Sequence, residues 1–355
     1  MKDHIVLTAA DLDGYLTDDD KRNIDELDGL FARALTACQV LASSQNESRL
    51  STEKATLIDL YNQMGAKLQE VTAKEESIRV YSFITPRSVH GEASRLIAKL
   101  RDVRTQHHEF VYYVQRAYEL LFNLAFAEPD NHDKNHLIIR TPVSYPVQNF
   151  AVHKIPDVDK ELENSVMCVM LRGALLPSMI MSKEIEEYSS TGYVTPFALF
   201  RIRRDDTKSE QDMEYVLDLS KSFFDLALLD DKDLFFADPM NATGGSLVTI
   251  VRFLHDSGIR PRSIRFFNVI SALKGTLRIV RALDNVHVYT LWMDPALNEK
   301  AYILPGLGDA GDRLNGVDLD DTPRNIIQLI ADYGSTIANL YRSQVRKIEE
   351  TVLAR

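Results

Sequence analysis

Leu234-Phe235-Phe236-Ala237-Asp238-Pro239-Met240-Asn241-Ala242-Thr243-Gly244-Gly245-Ser246-Leu247 is the stretch on which the fold turns. Four apolar residues end at an acid, a turn of small residues follows, and Leu247, Ile250, Val251 and Leu254 then recur at helical spacing. A strand, a Gly-rich turn and a helix N-terminus in succession form an anion site. Two glycines let backbone N–H groups converge, and the helix dipole favours negative charge. The Thr243 and Ser246 hydroxyls add donors. Asp238 falls at the strand's C-terminal end, where open α/β sheets place their ligand chemistry. The pattern G-x-x-x-x-G-K-[ST] is missing, which argues against a nucleoside triphosphatase.

Outward from this unit, apolar runs rich in β-formers lie at Ser165 to Leu171, Val194 to Ile202, Leu234 to Ala237, Ile264 to Ile270 and Val286 to Met293. Helical stretches, notably Gly245 to Ser257 and Leu273 to Leu283, separate them. The alternation predicts an α/β fold with a mainly parallel sheet flanked by helices. The first section, to about Ile78, reads as a helical hairpin. Ile24, Leu27, Phe31, Leu35, Cys38 and Leu41 share one face. A second helix is expected to start near Thr52, an N-cap candidate, and to carry Leu57, Leu60, Tyr61, Met64, Leu68 and Val71. A long helical pattern spans Gly91 to Phe126 with a break near Thr105 to His108, and the loop Glu128 to Asp133 ends it. At the other end, Thr322-Pro323 is expected to open an amphipathic helix to Val352, with Ile326, Ile330, Tyr333, Ile337, Leu340 and Tyr341 on its face.

The 355 residues suffice for two domains or for one large domain with additions. A net charge of −11 argues against a nucleic-acid surface, which needs a Lys/Arg excess, but leaves a small phosphorylated ligand open. Two cysteines, Cys38 and Cys168, cannot build a disulfide framework, so a reducing, cytoplasmic setting is expected. Met1-Lys2-Asp3-His4 leads into polar, acidic sequence without a signal-peptide pattern. No apolar run approaches the ~20 residues that span a bilayer. His132 and His136 stand at a spacing that suits zinc on a helix, yet they fall in polar sequence without a third ligand and are expected in an exposed loop. His107-His108 is likewise expected at the surface.

Asp238 to Ser246 resembles the ribose-5-phosphate loop of uracil phosphoribosyltransferases. Tyr302-Ile303-Leu304-Pro305-Gly306-Leu307-Gly308-Asp309-Ala310-Gly311-Asp312-Arg313, preceded by Leu297-Asn298-Glu299, is similar to that family's uracil-binding loop. Met170-Leu171-Arg172-Gly173 resembles its arginine-bearing strand end, and Ile202-Arg203-Arg204-Asp205-Asp206-Thr207 its Arg-x-acid-acid-Thr segment. Leu100-Arg101-Asp102, Thr105 and Glu109-Phe110 fit its early helix. The resemblance runs in order from Ser88 to Val317. It divides the chain into a helical N-terminal extension (1–87), a uracil phosphoribosyltransferase-like domain of the type I fold (88–317) and a C-terminal helical extension (318–355). The N-terminal hairpin lacks a P-loop and is not a fused kinase. The added helices are expected to pack on each other or to extend a dimer interface, in a homo-oligomer. Gly306 to Gly311 satisfies the dinucleotide fingerprint G-x-G-x-x-G literally. That reading is set aside because Pro305 precedes it and a polar loop, Asp312 to Asp321, is expected to follow.

The resemblance implies an enzyme that joins uracil to 5-phosphoribosyl 1-diphosphate, with Mg²⁺, giving UMP and diphosphate. Asp238 and Pro239-Met240-Asn241 would hold the ribosyl donor, with Asp238 on the ribose hydroxyls. Ala242, Thr243, Gly244, Gly245 and Ser246 would cradle the 5′-phosphate. Arg172 and Arg203 would bind phosphate or diphosphate through the guanidinium fork, with Arg172 catalytic. Ile303, Gly308 and Ala310 would read uracil with backbone groups, and the catalytic Asp309 would face the donor and its Mg²⁺, which the substrate itself mainly holds. Some positions depart from the family pattern. Asn241 stands where an apolar residue is usual, and Lys274 in Ser271-Ala272-Leu273-Lys274-Gly275 where Glu is usual. Trp292 and Met293 replace smaller residues, and Gly173-Ala174 inverts the usual order. These departures keep two alternatives open: a different pyrimidine-like base, or a nucleotide-sensing or assembly protein that has lost catalysis.

Overall fold

A computed structural model describes residues 4–126, 134–205, 207–316, 324, 326–332 and 339–354. Its strands are β1 (His4–Thr8), β2 (Ile78–Val80), β3 (Lys134–Arg140), β4 (Phe150–Pro156), β5 (Ser165–Leu171), β6 (Phe197–Arg204), β7 (Glu214–Phe223), β8 (Asp233–Ala237), β9 (Met240–Asn241), β10 (Ser263–Ala272), β11 (Val286–Asp294), β12 (Ala296–Leu297) and β13 (Ile303–Leu304). The main sheet has the order β1-β7-β6-β5-β8-β10-β11-β2, with β9 continuing beside β10. From β6 to β2 all neighbours are parallel, while β7 and β1 run antiparallel at the other edge. β5 and β8 are buried along their whole length, as interior strands covered on both faces must be. The expected α/β sheet flanked by helices is therefore present.

The helices fall into two packed groups. His107–Phe126 packs on Arg87–Arg101 and on Leu175–Tyr188, whereas Gly245–Asp256 packs on Leu273–Ala282 and against β7. The break expected near Thr105 is the turn between Arg101 and His107. Beyond Phe126, the loop read at Glu128 to Asp133 lies outside the described residues, as does His132. The hairpin of β3 and β4 has no counterpart among the strands expected from the sequence. His136 sits in β3 and is exposed, on a strand rather than in a loop.

The N-terminal section is not helical throughout. It begins with β1, paired antiparallel to β7, and closes with β2, paired parallel to β11. The first 80 residues thus contribute both edge strands to the sheet. Between them, helices Asp18–Ser43 and Glu47–Thr72 form the expected antiparallel pair. Ile24, Leu27, Phe31, Leu60, Met64, Leu68 and Val71 are buried, while Leu35, Cys38 and Tyr61 are exposed at the edges of the predicted faces. The cap of the second helix is Asn46, not Thr52. Asn46 accepts from the Arg49 amide at 3.1 Å, while Thr52 lies a turn inside and donates to the Ser48 carbonyl at 3.1 Å. The hairpin's apolar face shares a core with Ile78, Val80, Leu273, Leu277 and Met293, which joins it to the sheet edge and to helix Leu273–Ala282. Leu27 is fully buried there. Leu27→Ala is expected to cost about 2–5 kcal/mol, read by denaturant unfolding.

Thr322, Pro323, Tyr333 and Ile337 lie outside the described residues. In the described part of the C-terminal region, helix Ile326–Asp332 and helix Arg342–Leu353 are separate elements, with Tyr341 in a non-helical conformation before the second. Ile330 and Tyr341 are buried as expected, but Leu340 is exposed. No described helix is long and apolar enough to cross a membrane.

Candidate functional site

The C-terminal ends of β5, β6 and β8 open onto one pocket of about 330 Å³. β8 delivers Asp238, and the chain then turns through β9 and Ala242-Thr243 into helix Gly245–Asp256. Gly244 adopts φ +75°, a left-handed conformation that glycine reaches without steric cost. A Cβ there would also lie 2.6 Å from the Gly275 carbonyl oxygen and 2.8 Å from Ile279 Cγ1. The turn is therefore shaped by the helix Leu273–Ala282 beneath it as well as by its own sequence.

Of the residues singled out in the sequence, Arg172, Arg203, Asp238, Met240, Asn241, Ala242, Thr243, Gly244, Ser246, Ile303 and Asp309 line the pocket. Pro239, Gly245, Gly308 and Ala310 do not. The Pro239 carbonyl accepts from the Ile270 amide at 3.1 Å. Ala310 opens the helix Ala310–Asn315, which Asp309 caps by accepting from the Asp312 amide at 2.9 Å. Through Asn315 this helix stands in place of the expected polar loop Asp312 to Asp321, and 317–321 lie outside the described residues. The literal dinucleotide fingerprint thus joins a strand of the separate antiparallel pair β12–β13 to a six-residue helix, not two parallel strands of the main sheet.

Arg172 donates to Asp312 at 2.9 Å from the end of β5, after a cis Leu171–Arg172 bond. Arg203 is exposed at the pocket rim. Arg204 and Tyr302 also line the pocket; the sequence motifs that contain them assign neither a role. Arg204 donates to the Ala301 carbonyl at 3.2 Å, and its guanidinium lies 5.5 Å from the centroid of the Tyr302 ring. The Arg203-Arg204 doublet at a strand's C-terminal end is the sequence signal that points to Arg204.

Two aspartates of the pocket interact. Desolvation in the pocket floor raises the Asp238 carboxyl to about 7, and the negative charge of Asp309 adds to this; the Met240 amide and Arg204 oppose it. Further back, Asp294 accepts from the Gly306 amide at 2.9 Å and from Arg101 at 2.5 Å, which fixes the turn that leads to Asp309. Burial pushes the Asp294 carboxyl up, and Arg101 acts against that. Arg313 donates to the Leu307 carbonyl at 2.7 Å and to the Leu100 carbonyl, and stacks on Phe110 at 3.9 Å.

The departures from the family pattern lie at or behind the pocket wall. Asn241 is buried and donates to Thr276 Oγ1 at 3.2 Å, so its amide is satisfied within the protein. Lys274 pairs with Glu210 at 2.8 Å and is not a lining residue. Trp292 rests between His90 and Arg101, likewise off the pocket.

The family model described as uracil phosphoribosyltransferase matches residues 88–316, more than half of the chain. Over 228 residues the chain is 28% identical to a uracil phosphoribosyltransferase of Mycoplasmoides gallisepticum, covering 64% of this chain and 96% of that protein. It is 43% identical over 86 residues to one of Limosilactobacillus fermentum, a match that spans 24% of this chain and 41% of the relative. Among solved structures, the AQ2163 protein of Aquifex aeolicus aligns with a TM-score of 0.47 at 22% identity, over 68% of this chain and 98% of that one. With the matched model running from the helix Arg87–Arg101 to the end of the helix that Asp309 caps, the chain belongs to the uracil phosphoribosyltransferase family.

Proposed function

We propose that the protein transfers the 5-phosphoribosyl group of 5-phosphoribosyl 1-diphosphate to uracil, forming the N-glycosidic bond of UMP and releasing diphosphate. The observation that carries this reading is that one pocket is lined both by the Gly-rich turn Ala242–Gly244 and by Ile303 and Asp309 of the second motif. The turn at a helix N-terminus suits a 5′-phosphate. Asp238 at the strand end suits ribose hydroxyls, and Arg172, Arg203 and Arg204 bring positive charge to the departing diphosphate. Ile303 and its neighbours offer backbone groups to a base edge. A site of fixed polar groups discriminates against analogues that leave those groups unpaired. Mg²⁺ on the donor's diphosphate would neutralise leaving-group charge, and Asp309 is a pocket carboxylate whose hard oxygens suit it.

Incubation with uracil, 5-phosphoribosyl 1-diphosphate and Mg²⁺ is expected to yield UMP at ordinary enzyme rates, with the other free bases far behind. Turnover with a different pyrimidine alone would reassign the base. Binding of the donor without turnover of any base would replace the enzyme by a sensing protein.

The raised Asp238 carboxyl gives this reading a pH signature. In the free protein the group is neutral below about 7 and ionised above it. The ionised form is the stronger acceptor for sugar hydroxyls, so kcat/KM for the donor is expected to rise with pH through about 7. Asp238→Asn should remove that limb from the profile. Because the folded chain holds this proton more tightly than the unfolded chain, the group's contribution to stability declines as pH rises from the ordinary carboxylate range to about 7.

A further inference from the structure

We infer that Asp13, in the N-terminal region outside the family match, is a positioning residue for the phosphate-binding turn, acting through Arg278. The inference rests on the phosphoribosyl reading of the pocket.

The route is short and wholly within helix Leu273–Ala282. One face of this helix is the seat of the turn. Gly275 lies so close that a Cβ there would stand 2.7 Å from the Ala242 carbonyl carbon and 2.9 Å from the Thr243 nitrogen. Thr276 takes the Asn241 amide at 3.2 Å, and Ile279 packs under Gly244. Ionic contacts tie the same helix to the N-terminal region. Arg278 is fully buried, and its Nε and Nη2 donate to Asp13 Oδ1 at 2.9 and 2.6 Å. Its Nη2 also stands 3.0 Å from Glu210 Oε1, while Lys274 takes Glu210 Oε2 at 2.8 Å. A helical turn further on, Arg281 is held by Asp20 at 3.0 Å and by Glu75 at 2.9 Å, from the two ends of the helical hairpin.

Charge balance assigns the key part to Asp13. Arg278 is faced by Asp13 and Glu210, Lys274 is faced by Glu210, and Asp28 stands within electrostatic reach of Lys274 and Glu210 but not among the contacts of Arg278. Without Asp13, Arg278, which has no access to water, is left to Glu210, a carboxylate that it shares with Lys274. An uncompensated buried charge is relieved by movement or by water entry. The element that carries Arg278, and so takes up such a movement, is the helix against which the turn is packed. Arg281 anchors the far end of the helix independently, so losing Asp13 loads the end that carries Gly275 and Thr276, where Lys274 must then share Glu210 with the unbalanced Arg278. A salt bridge with a merely structural role would lower stability and leave ligand affinity alone. One that sets the height of this helix changes the phosphate site.

Calorimetric titration of the full chain with ribose 5-phosphate, alongside thermal unfolding, separates these cases. Asp13→Asn is expected to weaken ribose 5-phosphate binding about tenfold or more, since displacements of about an ångström at such sites are costly, while uracil affinity stays within twofold. Asp13→Glu should restore part of the loss. If Asp13→Asn does not fold, the pair Asp13→Asn with Arg278→Met removes one charge of each sign and so avoids the unpaired buried cation; because it also lacks the Asp13–Arg278 tether that fixes the helix, it too is expected to bind weakly. Wild-type affinity in either folded variant would overturn the inference, even with a lowered melting temperature. If the wild-type chain itself fails to bind ribose 5-phosphate, the phosphoribosyl reading falls first.

Discussion

Replacing Asp309 by Asn is expected to lower kcat by about 10²–10³-fold, the loss typical when a single preorganised electrostatic contact to the reacting centre is removed. The substitution separates charge from structure. Asp309 lines the pocket and also caps helix Ala310–Asn315 through the Asp312 amide. Asn caps a helix about as well as Asp, so the cap survives while the negative charge disappears. Unfolding should therefore remain near that of the wild-type chain while turnover collapses. Loss of the Asp309 charge also removes one of the influences that raise Asp238, so the acidic limb of the pH profile should move downward in the variant. An unchanged kcat would contradict the place assigned to Asp309 at the donor.

Gly275→Ala is expected to be almost as damaging, for a steric reason. The added methyl would meet the backbone of Ala242 and Thr243 inside 3 Å, and backbone cannot swing aside as a side-chain tip can. The turn must shift, which is expected to cost about 1–3 kcal/mol of stability and about 10²-fold in kcat/KM for the ribosyl donor. Gly29→Ala is the matching control. Gly29 lies inside helix Asp18–Ser43, and a Cβ added to it would meet nothing within 4 Å. Alanine there should raise stability by about 0.5–1 kcal/mol and leave kinetics alone. Equal effects of the two substitutions would show that Gly275 acts through helix propensity and not through its contact with the turn.

Local patterning carries much of this protein. β5 and the helices Gly245–Asp256 and Leu273–Ala282 lie within a residue or so of their expected bounds, because each is a strongly apolar or periodic run closed by a clear break. β7 escapes a sequence reading because Glu214–Phe223 mixes buried and half-exposed positions as an antiparallel strand near the sheet edge, without a continuous apolar run. β1 and β2 escape it because strands of five and three residues have no pattern of their own; pairing with β7 and β11 makes them strands. Residue type alone favours Thr52 as a cap, yet helix propensity carries the chain back through Glu47-Ser48-Arg49-Leu50 to Asn46.

For the site, sequence alone determined the chemistry on offer: a small-residue turn at a helix start, an acid at a strand end, and a second loop whose residues match one family. These are properties of contiguous residues, set by backbone conformation and local hydrogen bonding, and so they can be read along the chain. Only the tertiary structure decided that Arg204 reaches the pocket, that Asn241 and Lys274 pair with Thr276 and Glu210, and that Asp13 meets Arg278 from 265 positions away. The partner of a buried charge is chosen by packing, because a cation shut away from water needs whichever carboxylate the fold brings to it. No spacing rule along the sequence encodes that choice.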